Sequence, residues 1–380
     1  MLRQRDDAVL RAVWGLDANA KPRQVLIDLE ARYGFVQPEG TLHPVVRDFL
    51  RESLRADDCE TANRLGKVMA EFYQPRWQSE TDALPILGER LSERRWQNLT
   101  LDTLNALSWS DETRTMQFIA PRSIEALEFN WTFARNLVAL GQEFRNAPDW
   151  WSSRTNRRFD SLTRAIKEEG EQAMEGLKAL EREPSELNLE EAHKCILRMW
   201  RAQNLLKQGK PNDALNVSLE AETSATTDNS LRAALAETFA EIGGAVGFKR
   251  GAAVRSDEGL TCYEHAVALD SSKAGYHNGL GAMLNETGGK VTAPRAQQVL
   301  SDAINLDPQF AAAFNNRGNA YYYLKEYTKA IADYDRALAL DPQDAVAYYN
   351  RGNAYYALTE YAQAIADYDR ALALDPQYVN

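Results

Sequence analysis

The chain is poor in the residues that usually carry chemistry. Its 380 residues include 3 cysteines and 4 histidines. Cys59, Cys195 and Cys262 stand far apart, with no pair at metal-ligand spacing. An odd number of isolated thiols fits a reducing cytoplasm better than a disulfide framework. None of His43, His193, His265 and His277 belongs to an H-E-x-x-H signature, and no serine occupies a nucleophile elbow. A phosphate-cradling loop is also missing. The nearest text, "NETGGKVT" at 285–292, lacks the first glycine of G-x-x-x-x-G-K-[ST] and has Val291 after the lysine. No apolar run reaches the roughly 18 residues that a membrane helix needs. The opening "MLRQRDDAVLRAVWGLD" has no uninterrupted apolar stretch of the signal-peptide kind. These absences argue for a cytoplasmic protein that is not an enzyme, with no metal, no cofactor and no membrane contact.

A surplus of positive charge is missing too. Lys and Arg number 44 against 55 Asp and Glu, a formal net charge of −11. Nucleic-acid affinity comes largely from cations that displace phosphate counterions, so nucleic acid is not the expected partner. The two local concentrations, Arg90, Arg94, Arg95 and Arg154, Arg157, Arg158, read as solvated faces.

What the chain has in abundance is its own text. Residues 311–342 and 345–376 agree at 25 of 32 aligned positions. Similarity at a fixed period of this length is the signature of a stacked repeat. Within the unit, Ala330, Ile331, Tyr334, Ala337, Leu338 and Leu340 recur at helical steps. A turn at "LKEY" or "LTEY" separates that helix from an earlier one, and Asp-Pro closes the unit because proline cannot continue a helix. Gly318 with Ala330, and Gly352 with Ala364, are expected where two helices approach closely; Tyr321, Tyr334, Tyr355 and Tyr368 fill the wider gaps. A helix pair of this kind cannot bury its apolar stripe alone and needs neighbours on both sides.

The pattern resembles the tetratricopeptide repeat (TPR). An aromatic at position 4, glycine at 8, tyrosine at 11, alanine at 20, an aromatic at 24, alanine at 27 and proline at 32 fall on Phe314, Gly318, Tyr321, Ala330, Tyr334, Ala337 and Pro342. In the last unit they fall on Tyr348, Gly352, Tyr355, Ala364, Tyr368, Ala371 and Pro376. Position 7, usually leucine, holds Arg317 and Arg351, which should alter an outer contact rather than the fold. A third unit precedes these at about 274–308, with Leu280, Gly281, Ala296, Ala303 and Pro308 as markers and an insertion in "NETGGKVTAP". More worn units end in "CYEHAVALDSS" (Tyr263, Ala266, Leu269) and "LLKQGKPNDALNVSLEAE" (Gly209, Ala214, Ala221). The expected fold is therefore all-α: a right-handed α-α solenoid, divergent over 57–272 and clear over 273–380. The tryptophans Trp77, Trp96, Trp109, Trp131, Trp150 and Trp151 are expected mainly as core of the divergent part.

Residues 1–56 differ in kind. "PRQVLIDLEARYGFVQPEGTLHPVVRDFLRESLR" reads as helix, short hairpin, helix. It resembles the winged helix that follows the ATPase core of STAND/NB-ARC-type signalling proteins, and "LHPVVRDFL" carries the likeness. That resemblance would make His43 a relic of a nucleotide sensor and the chain the regulatory part of a signalling NTPase whose ATPase core is elsewhere. A winged-helix DNA-binding regulator is a further, weaker alternative.

By the TPR resemblance, groove-facing positions of the first helices fall on Ala312, Asn315, Asn319, Tyr322 and Tyr323, then Val346, Tyr349, Asn353, Tyr356 and Ala357. Asn amides and Tyr rings suit an extended peptide, since amides both donate and accept and tyrosine offers apolar area with little rotamer entropy to lose. Asn319 and Asn350 also match two asparagines of the carboxylate clamp in chaperone-adaptor TPR domains, whose lysine position is Asn315 here. The chain is thus expected to bind a protein or peptide partner, with self-association through an uncapped C-terminal repeat as a second expectation. The acidic residues Asp333, Asp335, Asp367 and Asp369 are read as solvated charge.

Overall fold

The computed structural model describes residues 59–84, 87–108, 111–145, 151–224, 228–247 and 256–376. The winged-helix-like segment, with His43, lies outside the described residues, as do Trp109 and Trp150. Among the described residues every regular element is an α-helix. The chain divides into two compact units, residues 1–200 and 201–380.

The first unit holds α1 (Cys59–Ala83), α2 (Leu87–Ser92), α3 (Arg94–Ser108), α4 (Glu112–Phe129), α5 (Trp131–Arg145), α6 (Ser153–Lys167) and α7 (Gly170–Arg182). The helix α8 (Glu191–Lys207) follows. Here the tryptophans are structural. Trp77 and Trp96 are buried with Phe118 and Phe133, in ring contacts of 5.0–6.3 Å. Each indole N–H is satisfied locally: Trp77 donates to Thr100 Oγ1 at 3.0 Å and Trp96 to Thr81 Oγ1 at 2.9 Å. An aromatic core can afford indoles only where those donors find partners. Trp151 is likewise buried, edge-on to Phe159. Trp131 stacks on Trp200 at 5.4 Å, and both are half-buried.

The second unit is a run of helix pairs. After α9 (Pro211–Thr223) come α10 (Asn229–Gly247) with α11 (Ser256–Leu269), and α12 (Ala274–Gly288) with α13 (Ala293–Leu306). Next are α14 (Ala311–Tyr323) with α15 (Tyr327–Leu340), and α16 (Ala345–Ala357) with α17 (Tyr361–Leu374). Each pair packs against the next, as the repeat period requires. A Cβ on Gly318 would lie 2.5 Å from the Tyr334 ring, so the two helices meet only because position 318 has no side chain. Ala330 and Ala364 are buried, as are Ala337 and Ala371. Leu338 packs with Phe314 of its own unit and Ala347 of the following one, and Tyr334 with Ala354.

The turns explain the unit boundaries. In "LKEY", Lys325 takes φ 62°, its N–H bonds to Tyr322 O, and the Glu326 N–H reaches Tyr321 O, both at 2.9 Å. This left-handed closure satisfies the last carbonyls of the first helix. Thr359 repeats it at φ 65°. Asp341 accepts the Gln343 N–H at 3.0 Å beside Pro342, and Asp307 accepts that of Gln309 at 2.9 Å. Each Asp-Pro is thus a side-chain-closed turn as well as a helix stop. The worn units hold the same features: Ala214, Ala221, Ala266, Ala296 and Ala303 are all buried. The insertion before α13 is absorbed by a longer first helix and a turn that leaves Val291 exposed.

Candidate protein-binding surface

The first helices α14 and α16 carry the sequence-expected groove residues, and the structure sorts them into three kinds. The asparagines at positions 5 and 6 are mutual fasteners. Asn350 Nδ2 donates to Asn315 Oδ1 at 3.1 Å, and Asn316 Nδ2 donates to Asn278 Oδ1 at 2.9 Å. Asn315 is buried. It belongs to a ladder joining successive first helices rather than to an open amide surface, which corrects the expectation for that residue and ties up Asn350 as well.

Asn319 and Asn353 are half-buried, each tied to its unit's core tyrosine. Tyr334 Oη donates to Asn319 Oδ1 at 2.8 Å and Tyr368 Oη to Asn353 Oδ1 at 2.9 Å. That bond occupies the amide oxygen, so the N–H₂ is the end of each amide not committed to the tyrosine.

The third kind are tyrosines at the surface. Tyr323 and Tyr356 are exposed, Tyr356 at 61%, while Tyr322 and Tyr349 are half-buried. Tyr322 lies edge-on to Tyr323 at 6.2 Å and to Tyr327 at 5.4 Å. Tyr349 meets Tyr368 at 5.7 Å, and Tyr356 meets Tyr361 at 5.4 Å. The last two repeats, both in the second unit, contribute to this aromatic patch. Burial, then the neighbouring phenols of Tyr327, Tyr323 and Tyr349, push the Tyr322 hydroxyl up from its ordinary value. Burial, then Tyr349, Tyr322 and Tyr356, do the same for Tyr368. These two phenols therefore stay neutral at physiological pH.

Residues 318–359 match the family model described as TPR repeat, and residues 345–378 match that of the tetratricopeptide repeat. The C-terminal stretch of this chain carries tetratricopeptide repeats. Similar solved structures include MamA, at 20% identity over 46% of this chain and 95% of that one, TM-score 0.37. Another is YrrB, described as a TPR protein with an unusual peptide-binding site, at 17% over 53% and 92%, TM-score 0.39. The TPR domain of Arabidopsis OM64 is similar at 25% over 33% and 98%, TM-score 0.30. Among curated protein sequences no significant match is found.

The tetratricopeptide repeats also depart from expectation at their aspartates. Asp333 and Asp367 are not solvated; they are only 7% and 6% exposed. Arg317 grips Asp333 with both prongs, Nε to Oδ2 and Nη2 to Oδ1, each at 2.8 Å, and its Nη1 reaches Ser301 Oγ of α13 at 3.2 Å. Arg351 grips Asp367 at 2.8 and 2.7 Å and adds Asp335 of the preceding unit at 2.5 Å. Each guanidinium lies over two rings as well: Phe314 and Tyr321 for Arg317, Tyr348 and Tyr355 for Arg351. The unusual arginine at position 7 is thus matched by an aspartate 16 residues later in both copies. That paired recurrence was the readable signal.

Outside the repeats, the most chemically suggestive cluster is in the first unit. His193 Nδ1 accepts the Glu190 N–H at 3.0 Å, so its Nε2 faces Glu125 Oε1 at 3.2 Å. Arg122 lies 4.5 Å over the Trp77 ring. Burial pushes the Glu125 carboxyl up, but the His193 hydrogen bond and the Arg122 charge outweigh it and hold it below the usual range. This is a buried charge network rather than an open site. His265 pairs with Glu222 at 2.6 Å and His277 Nε2 with Ser271 O at 3.0 Å. Burial pushes the Cys195 and Cys262 thiols up to about 12, too high for a nucleophile near neutrality. Among the described residues no three His, Cys, Asp or Glu side chains gather as metal ligands, and no helix is long and apolar enough to cross a membrane. Of the two arginine clusters, Arg158 is held by Glu183 and Glu186 at 2.7 and 2.9 Å, and Arg95 by Glu80 at 2.8 Å.

Proposed function

We propose that this chain is a non-enzymatic protein-interaction module whose tyrosine face on α14 and α16 binds an extended segment of a protein partner. The observation that supports this reading is the arrangement of Tyr322, Tyr323, Tyr349 and Tyr356 beside two oriented asparagines. Tyrosine rings give contact area at low entropic cost. The N–H₂ groups of Asn319 and Asn353, whose oxygens are taken by Tyr334 and Tyr368, are donors suited to the carbonyls of an extended backbone. No lysine or arginine stands among these residues, so the chemistry favours an uncharged, apolar-rich peptide over one ending in a clamped carboxylate. The same reading keeps the protein in the cytoplasm, where its thiols stay reduced.

The test is a display library of unstructured peptides selected on the intact protein, followed by fluorescence anisotropy with the selected peptide. Tyr323→Ser with Tyr356→Ser changes two exposed side chains and leaves the helix packing alone. Affinity should fall by about tenfold or more, as for loss of aromatic anchors. Unchanged affinity in the double variant contradicts the assignment.

A further inference from the structure

The tyrosine face carries one set of side chains twice. Asn319 and Tyr322 on α14, with Tyr327 at the start of α15, recur one repeat later as Asn353 and Tyr356 on α16, with Tyr361 at the start of α17. The geometry is copied as closely as the text. Tyr322 meets Tyr327 at 5.4 Å and 62°, and Tyr356 meets Tyr361 at 5.4 Å and 61°. In both sets the core tyrosine takes the amide oxygen, at 2.8 and 2.9 Å, and neither Nδ2 has a protein partner among the described residues. The preceding helix α12 breaks the series. With Gly281 aligned on Gly318, it has Ala282 and Asn285 at the places of Asn319 and Tyr322, and Asn285 Nδ2 is spent on Asn316 O at 2.8 Å.

Two features of the repeated set select its ligand. The first is hydrogen-bond polarity. Each amide has its acceptor oxygen engaged and offers only donors. An ordinary extended chain brings an N–H with every carbonyl, and an N–H set against these amides finds no free amide oxygen to receive it. Proline brings the carbonyl without the N–H. The second feature is period. The helices α14 and α16 are in direct contact, and packed helices lie about 8–10 Å apart, so a chain crossing them meets the set at about that interval. A polyproline II helix returns to the same face every three residues, at about 3.1 Å each, or about 9 Å. A β-strand returns every two residues, at about 3.3 Å each, or about 7 Å, and falls out of step. We infer that the tyrosine face takes a proline-rich segment in the polyproline II conformation, two turns long across α14 and α16. One carbonyl of each turn accepts from an asparagine N–H₂, and the pyrrolidine rings lie against Tyr322 and Tyr356. This rests on the peptide-binding reading of the face and names the class of its ligand. Such a segment is already extended when free, so it loses little chain entropy on docking.

The probe is fluorescein-labelled decaproline, titrated into the full chain and followed by anisotropy, with a glycine–serine peptide of equal length as the flexible comparison. Decaproline should bind saturably and about tenfold or more tightly than the comparison. Asn319→Asp with Asn353→Asp keeps an acceptor for each tyrosine hydroxyl but removes the N–H₂ donors, and should weaken decaproline about tenfold. Tyr356→Ser alters an exposed side chain and should weaken it by a similar factor; circular dichroism checks that each variant stays folded. Equal affinity for the two peptides overturns the proposal, as does decaproline affinity unmoved in both variants. Proline-free peptides that are selected on the intact protein and lose affinity with Tyr323→Ser and Tyr356→Ser, while decaproline does not bind, would refute the ligand class and leave the binding face standing. If peptides of neither kind respond to those substitutions, the face itself is refuted.

Discussion

The sharpest consequence of the structure concerns Arg317 and Asp333. Arg317→Leu keeps an apolar side chain between Phe314 and Tyr321 and restores the residue usual at that repeat position. Nothing then neutralises Asp333, which is buried and loses two hydrogen bonds of 2.8 Å. Removing one partner of a buried pair costs about 3–5 kcal/mol; the lower figure applies here because the Asp333 side chain keeps 10% of its surface in solvent. Asp333→Ala should cost less, about 1–2 kcal/mol, because the long Arg317 side chain can swing its charge toward water. The double variant replaces a buried ion pair by apolar groups and should stand within about 1 kcal/mol of the parent. Thermal unfolding followed by circular dichroism reads this directly. At about 2–4 °C per kcal/mol for a unit of this size, Arg317→Leu lowers the C-terminal transition by about 6–12 °C, and adding Asp333→Ala recovers most of it. Single variants that each cost less than about 0.5 kcal/mol and simply add would mean an ordinary surface pair, and the reasoning would be refuted.

Other predictions follow from the turns, the thiols and the buried carboxylate. Thr359 holds a left-handed φ of 65° without being glycine. That conformation costs about 1–2 kcal/mol, while glycine loses about 0.5–1 kcal/mol in chain entropy. Thr359→Gly should therefore raise the melting temperature by about 1–4 °C, and a lowered one contradicts the turn assignment. Cys195 and Cys262, with thiols near 12, should escape iodoacetamide in the native protein at pH 8 and react once it is unfolded; peptide mapping shows which. Glu125 has a folded-state value below its unfolded one. Its stabilisation is therefore complete above the unfolded carboxylate value of about 4.3 and is lost as the pH falls through the folded value. Glu125→Gln should flatten the stability profile of the first unit below about pH 4, as measured by urea denaturation at stepped pH, and an unaltered profile would show that another group governs it.

The repeat architecture was legible because stacking constrains every unit alike. Gly318, Ala330, Tyr334 and Ala337 could be placed from spacing alone, since a close helix contact admits few residues. The turn residues Lys325 and Thr359 give no such sign: their left-handed backbone comes from closing the helix, and neither residue type announces it. Asp333 was misread for a related reason. Charge on a helix usually faces water, and only the arginine of the preceding helix, 16 residues earlier, makes burial affordable. Asn315 shows the limit of transferring positions, because a groove position can be filled by an amide whose partner is the neighbouring repeat. In the first unit the tryptophans carry no period, and their packing around Trp77 and Trp96 is set by tertiary contacts that spacing does not encode.

Amide hydrogen exchange on the full chain, with and without a library-selected peptide, addresses the peptide-binding face most directly. Binding at the tyrosine face should slow exchange in residues 311–323 and 345–357 and leave helices α3 to α7 unchanged. Protection confined to the first unit, with α14 and α16 exchanging as before, would contradict the account.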